Sequence, residues 1–276
     1  MPSNREAYFE ALKMNVPKAV IDFALQEVNG FDYLQLTNKY DEEIKDYQLF
    51  INAIKRYING EMIEYIFNKK YFFSIPLYVD KNVLIPRQET EQLVILSVEY
   101  IKKMFGPSKL DIADVCTGSG AIGVVIANAF KNSTVYLTDI SKEALRVANI
   151  NVNNNGLGNI KLYQGDMLKP LIEKDIKLDV LICNPPYIED ELTIDEKTWQ
   201  QEPHLALLAK PSTFFYEKIF QDYKLVMKDK FLIAFEIGED MEKALETLTK
   251  EYFPNCDYSF AKDLYGKTRF LFIKQE

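Results

Sequence analysis

Leu110-Asp111-Ile112-Ala113-Asp114-Val115-Cys116-Thr117-Gly118-Ser119-Gly120-Ala121-Ile122-Gly123 reads as a strand that runs through a glycine-rich turn into a helix. Glycines at such a handover let the backbone pass close to a ligand at the carboxyl edge of a sheet. Working outward, further apolar runs at 134–139, 160–163, 178–183 and 231–237 are separated by stretches with helical periodicity. That alternation predicts a parallel α/β sheet. Two last strands, at 256–261 and 268–273, have no helix between them and are expected to form an antiparallel edge pair.

Upstream the pattern changes. An amphipathic stretch at 5–14 is followed from Pro17 by Val20, Ile21, Ala24, Leu25 and Val28 on one face, with Gly30 as the stop. A third helix, expected over 42–59, places Ile44, Tyr47, Ile51, Ile54 and Ile58 together, and Gly60 and a turn or two over 61–67 close the bundle. Residues 71–86 are rich in Tyr, Phe, Ile and Val with two prolines and the turn residues Asp80-Lys81-Asn82, which predicts an extended connector or hairpin. The expected organisation is a helical domain at 1–70, a linker at 71–86 and an α/β domain at 87–276.

At 276 residues, 47% hydrophobic and 27% charged, the chain has enough apolar surface for a large core, and wholesale disorder is excluded. Its 33 basic and 41 acidic side chains give a net charge of −8, which disfavours sequence-blind binding to nucleic acid. Three scattered cysteines and one histidine indicate neither a disulfide framework nor a metal site. With no signal-like or membrane-spanning run, a cytoplasmic protein is expected.

Gly118, Gly120 and Gly123 satisfy the G-x-G-x-x-G pattern, and Asp139 stands at the end of the second strand, where a ribose is received. A nicotinamide dehydrogenase fits this loop. So does a protein that holds S-adenosylmethionine, with Asp114 accepting from the ammonium and Asp139 from the ribose hydroxyls. Asp166, in Gly165-Asp166-Met167, could meet an adenine amine while Met167 lies against the ring.

The fourth strand ends in Asn184-Pro185-Pro186-Tyr187. Proline cannot continue a ladder, so the turn is stiff and aims its acceptors outward. The Asn184 side-chain oxygen and the Pro185 carbonyl can each take one N–H of a planar NH₂ group, and Tyr187 supplies a stacking face. Such a grip suits methyl transfer to an amide or aromatic amine, and a dehydrogenase has no use for it.

These residues, with Val83 to Glu91, Glu202-Pro203, Ala206-Leu207, Phe235-Glu236-Ile237-Gly238, Tyr265-Gly266-Lys267 and Arg269, resemble the class I S-adenosylmethionine-dependent methyltransferases and, within them, the release factor glutamine N5-methyltransferase family, also called HemK or PrmC. The resemblance spans nearly the whole chain. It implies a Rossmann-like seven-stranded sheet behind an N-terminal helical bundle that docks substrate. It implies methylation of the glutamine in the Gly-Gly-Gln tip of class 1 release factors; a monomer with no metal and no direct contact with nucleic acid is expected. Carried over by position, the cofactor site is Cys116, Thr117, Gly118, Ser119, Gly120, Asp139, Met167 and Asn184, and Asn184, Pro185, Pro186 and Tyr187 hold the substrate amide. Asn184, Pro185 and Tyr187 are the catalytic candidates. The family often has Gly at Cys116 and Pro at Gln88; Cys at 116 is accommodated if its φ is negative, and Gln88 bears on the loop carrying Arg87 and Glu89.

Arg87, Glu89 and Glu202 read as a salt bridge clamping connector to core. His204 is expected at the surface or against substrate rather than as a base, and Trp199 in the core or a lid. Two other functions share the motifs: a methyltransferase acting on exocyclic amines of RNA or DNA bases, and a binding module that kept only the fold.

Overall fold

The computed structural model describes residues 1–276, which divide into two compact units, Met1–Lys69 and Lys70–Glu276.

The first unit is helical: α1 (Asn4–Lys13), α2 (Lys18–Asn29), α3 (Tyr33–Asn38), α4 (Tyr47–Ile58) and α5 (Ile63–Ile66). Ser3 and Glu6 form a capping box on α1, satisfying amides that a helix start leaves open. Gly30, at φ 72°, ends α2 in the left-handed conformation that glycine adopts without penalty. Ala7, Ala11, Ile21, Leu25, Phe50 and Ile54 make the core. Beside it lies a buried polar tie, in which Asn29 Nδ2 donates to Asn4 Oδ1 at 2.9 Å and Asn29 Oδ1 accepts from the Lys45 amide at 2.9 Å. Two expectations fail here. The helix expected over 42–59 begins only at Tyr47, because the Asp46 carboxylate caps the Leu49 amide, leaving Ile44 buried outside it and Ile58 48% exposed. The short α3 was not expected; it buries only Leu36 and so carries no readable apolar face.

The second unit opens with a hairpin of β1 (Lys70–Phe72) and β2 (Ile75–Leu77). Its turn is Phe73-Ser74, both at positive φ (49° and 61°), the geometry of a tight two-residue hairpin without glycine. The Phe73 amide donates to Glu91 Oε1 at 2.7 Å. Asp80-Lys81-Asn82 forms a separate turn, with Asp80 Oδ1 accepting from the Asn82 amide.

There follow α6 (Gln88–Phe105), β3 (Asp111–Val115), α7 (Ala121–Ala129), β4 (Thr134–Asp139), α8 (Lys142–Asn154), β5 (Ile160–Gln164), α9 (Lys169–Glu173), β6 (Leu178–Cys183), α10 (Glu196–Gln201), α11 (Phe214–Val226), β7 (Met227–Glu236), α12 (Glu242–Tyr252), β8 (Asp257–Lys262) and β9 (Thr268–Gln275). The strands form one seven-stranded sheet in the order β5-β4-β3-β6-β7-β9-β8. Strands β3 to β7 are mutually parallel, and β9 runs antiparallel between β7 and β8. Alternate side chains of the central strands serve opposite layers. Leu181 and Cys183 pack in the layer of Leu171, Phe220 and Leu245, while Val180 and Ile182 pack with Leu93, Ile126 and Ala148. Burial on both faces explains why β6 is apolar at nearly every position.

The chain leaves β3 toward β4 on one side and comes back at β6 on the other. Ligands collect at such a switch point, outside the carboxyl ends. Val115 and Cys183 are register partners, so the turns after β3 and β6 emerge side by side.

Candidate active site

The turn after β3 is built by hydrogen bonds to buried acids. Asp114, 1% exposed, accepts through Oδ2 from the Thr117 hydroxyl at 2.5 Å and from the Gly123 amide at 2.9 Å. A Cβ on Gly123 would stand 2.8 Å from the Leu137 side chain, so glycine is what lets α7 seat against β4. Asp114 Oδ1 has no partner, and burial pushes the carboxyl up to about 7. Gly118, at φ 54°, turns its amide onto Asp139 Oδ2 at 2.9 Å, while Asp139 Oδ1 accepts from the Ser141 amide. Burial raises the Asp139 carboxyl, and those two amides pull it back. Asn151, fully buried on α8, donates to Ser119 O at 2.8 Å and to Tyr78 O at 2.9 Å, fastening glycine turn and connector to one side chain.

Cys116 departs from expectation. Its φ is +59°, in the left-handed region, and the side chain is carried there regardless. Its Sγ lies 3.6 Å from Met167 Sδ, and Met167 is itself left-handed at φ 52°.

A cavity of about 350 Å³ opens over this turn. Cys116, Thr117, Gly118, Ser119, Asp139, Asp166, Met167, Asn184 and Pro186 line it, with Val83, Leu84 and Pro86 of the connector, Ile140, Phe215 and Lys218. Asp114 and Gly120 are absent from its wall: Asp114 is drawn beneath the turn by Thr117 and Gly123, and Gly120 faces Ala148 and Leu137. Asp166 is in the wall but already paired, with Lys218 Nζ at 2.5 Å from Oδ2. Lys218 lies 52 residues further on, in α11, and no local signal points to it.

A second cavity, of about 380 Å³, adjoins the first and is lined by Arg87, Asn184, Pro185, Tyr187, Asp195, Thr198 and Glu236 among others. Asn184, Leu84 and Ala206 belong to both walls. The Asn184 Nδ2 donates to Thr90 Oγ1 at 3.3 Å, and Thr90 Oγ1 donates to Glu236 Oε2 at 2.8 Å. Glu236 is 3% exposed, and burial pushes its carboxyl up to about 7. The Tyr187 hydroxyl is 3.5 Å from Glu236 Oε1. Thr90 and Glu236 stand in recognisable motifs, but the sequence assigns them no role because they meet only in the fold.

Glu202 fastens the connector to this region: its Oε1 accepts from the Ile85 amide at 3.0 Å and its Oε2 pairs with Arg87. The segment from Ile188 to Leu208 is closed at its base, where the Ala209 amide donates to Ile188 O at 2.9 Å. Within it Trp199, on α10, stacks on His204 with ring centroids 3.6 Å apart, and His204 Nε2 bonds to Trp199 O at 2.8 Å. His204 is thus engaged structurally.

The family model described as Methyltransferase small domain matches residues 96–231. A curated protein of Bacillus subtilis (strain 168) named release factor glutamine methyltransferase is 37% identical over 246 residues, covering 87% of this chain and 85% of its own. One of the same name from Mycoplasma mycoides subsp. mycoides is 33% identical over 267 residues, 95% of this chain and 94% of its own. Among solved structures, the catalytic domain of human METTL16 in complex with an RNA hairpin superposes with a TM-score of 0.57 at 16% identity, over 74% of this chain and 75% of that one. A ribosomal protein L11 methylase of Lactobacillus delbrueckii subsp. bulgaricus does so with a TM-score of 0.51 at 21% identity, over 72% and 84%. At those identities the solved structures carry the architecture alone.

Proposed function

This chain belongs to the release factor glutamine methyltransferase family, and from that premise we propose that it moves a methyl group from S-adenosylmethionine to the side-chain amide nitrogen of the glutamine in a release factor's Gly-Gly-Gln tip. The observation that carries the mechanism is the position of Asn184, a wall of both cavities. One cavity takes the methyl donor, the other the acceptor side chain.

The residues of the first cavity fit the donor. Each Asp139 oxygen spends one lone pair on a backbone amide and keeps another for a ribose hydroxyl. Ile140 and Met167 offer apolar surface for an adenine, and Asp166, held by Lys218, keeps its Oδ1 for an exocyclic amine. Bound there, S-adenosylmethionine supplies an electrophilic methyl on a sulfonium. Everything else is the work of the chain. Asn184 Oδ1 and the Pro185 carbonyl accept the two N–H groups of the acceptor amide and turn its nitrogen toward the methyl. Tyr187 walls the channel. These acceptors also favour the positive charge that grows on nitrogen, so positioning and electrostatics lower the barrier together.

The unit Met1–Lys69 is assigned the docking of the release factor, the protein acts as a monomer, and a cytoplasmic site of action goes with that substrate. No helix is long and apolar enough to cross a membrane. The base-amine reading gains nothing from the METTL16 likeness, which is one of fold.

Incubation with radiolabelled S-adenosylmethionine, a purified release factor, its Gly-Gly-Ala tip variant and total RNA and DNA tests this function. Label on the Gly-Gly-Gln protein alone supports it; label on nucleic acid overturns it.

A further inference from the structure

Asn184 grips an NH₂ group only if its own amide is turned the right way. An asparagine side chain is nearly symmetrical in shape but opposite in polarity at its two ends, so packing alone does not select oxygen over nitrogen. We propose that Thr90 and Glu236 form a polarity relay that holds the Asn184 NH₂ inward and thereby presents Asn184 Oδ1 to the acceptor, an inference that rests on the function proposed above.

The argument begins at the buried end. An ionised carboxylate only accepts, so the single proton of the Thr90 hydroxyl is committed to Glu236 Oε2, at 2.8 Å. Thr90 Oγ1 then offers Asn184 nothing but lone pairs. It takes the Asn184 Nδ2 at 3.3 Å, and a reversed amide would set oxygen against oxygen. Asn184 also hydrogen-bonds toward Glu236 itself, with the same polarity. The far end of the amide, the oxygen, is left for the cavities it divides. Neither Thr90 nor Glu236 needs to touch the reacting atoms; both are positioning residues.

The groups that face Glu236 come from every neighbouring element. Glu89, at the start of α6, disfavours its charge; Arg269, on β9, favours it; Tyr187, after β6, brings its hydroxyl to 3.5 Å; and the Tyr216 hydroxyl, on α11, donates to the Glu236 backbone oxygen at 2.8 Å. With burial, the balance puts the carboxyl at about 7, so the relay loses its acceptor-only terminus as the pH falls through that value. Turnover then has an acid limb near pH 7, rising with pH.

The test uses the full-length protein, S-adenosylmethionine and a purified release factor. Wild-type methylation is measured first, since its absence would count against the proposed function rather than the relay. Thr90→Val keeps the shape and removes the hydroxyl. It is expected to lower kcat roughly 10-fold, in line with the loss of one ordinary hydrogen bond, and to change the affinity for S-adenosylmethionine, whose cavity Thr90 also lines, much less. Thr90→Ser should recover most of that. A Gly-Gly-Glu tip variant of the release factor, whose carboxylate prefers a donor, should inhibit Thr90→Val more strongly relative to wild type, because the freed Asn184 can now offer its NH₂. Wild-type kcat with unaltered Gly-Gly-Glu inhibition in Thr90→Val would overturn the relay, as would a Thr90→Ser enzyme as slow as Thr90→Val. Should Thr90→Val fail to fold, Glu236→Gln decides: its pH profile should be flat on either side of pH 7, and a retained acid limb would overturn the proposal.

Discussion

The Sγ of Cys116 lies 3.6 Å from the Sδ of Met167, and both residues hold left-handed backbone, at φ 59° and 52°. Two side chains that disfavour this conformation therefore face each other at the wall of the cavity over the glycine turn. Left-handed backbone costs an L-residue roughly 1–2 kcal/mol, while glycine adds roughly 0.5–1 kcal/mol of chain entropy to the unfolded state. Cys116→Gly should accordingly leave stability level or raise it by up to about 1.5 kcal/mol, less whatever the Cys116–Met167 contact contributes. Urea unfolding measures this, and a loss of more than about 2 kcal/mol would show that the sulfur contact outweighs the backbone penalty.

Asn184→Ala should lower kcat by roughly 10²–10³-fold, the loss typical of one preorganised polar group, while S-adenosylmethionine affinity changes much less. Single-turnover kinetics alongside calorimetry separate the two. Near-normal turnover would remove Asn184 from the chemistry.

Transfer should stop after one methyl. An N-methylated amide has a single N–H left and cannot satisfy both Asn184 Oδ1 and the Pro185 carbonyl, and an unmet buried acceptor costs about 1–3 kcal/mol. Mass spectrometry of the release-factor peptide at long incubation should find one added methyl; a dimethylated glutamine would show that one acceptor suffices.

The pH dependence of stability follows from Asp114, whose folded carboxyl is raised to about 7 against roughly 3.9 in an unfolded chain. The folded state binds the proton more tightly, so this contribution is complete below the unfolded pKa and is lost as the pH rises through the folded one. Asp114→Asn should flatten the decline in stability between those values, read as urea midpoints across the pH range. Glu236 acts in the same sense, so the slope should shrink rather than vanish.

The parallel sheet is legible because its signals are local: β6 is buried at every position, and the turns after β3 and β6 announce themselves by glycine and proline. Side chains that meet across the fold are silent in the sequence. Thr90 and Glu236 are 146 residues apart, and Asp166 and Lys218 are 52 apart. The Asp114 carboxylate shows the other limit, since an acid at a strand end reads as a ligand contact whether it lines the cavity or, as here, accepts from the Thr117 hydroxyl and the Gly123 amide. Cys116 shows a third, because its positive φ belongs to the loop as a whole and not to the residue that occupies it.

A single amide that forms the party wall of two rooms makes their occupants thermodynamically linked. Whatever factor the methyl donor adds to the acceptor's affinity through Asn184, the acceptor must return to the donor. The spent cofactor and the methylated tip obey the same reciprocity, so whatever factor one lends to the hold on the other is withdrawn when it leaves.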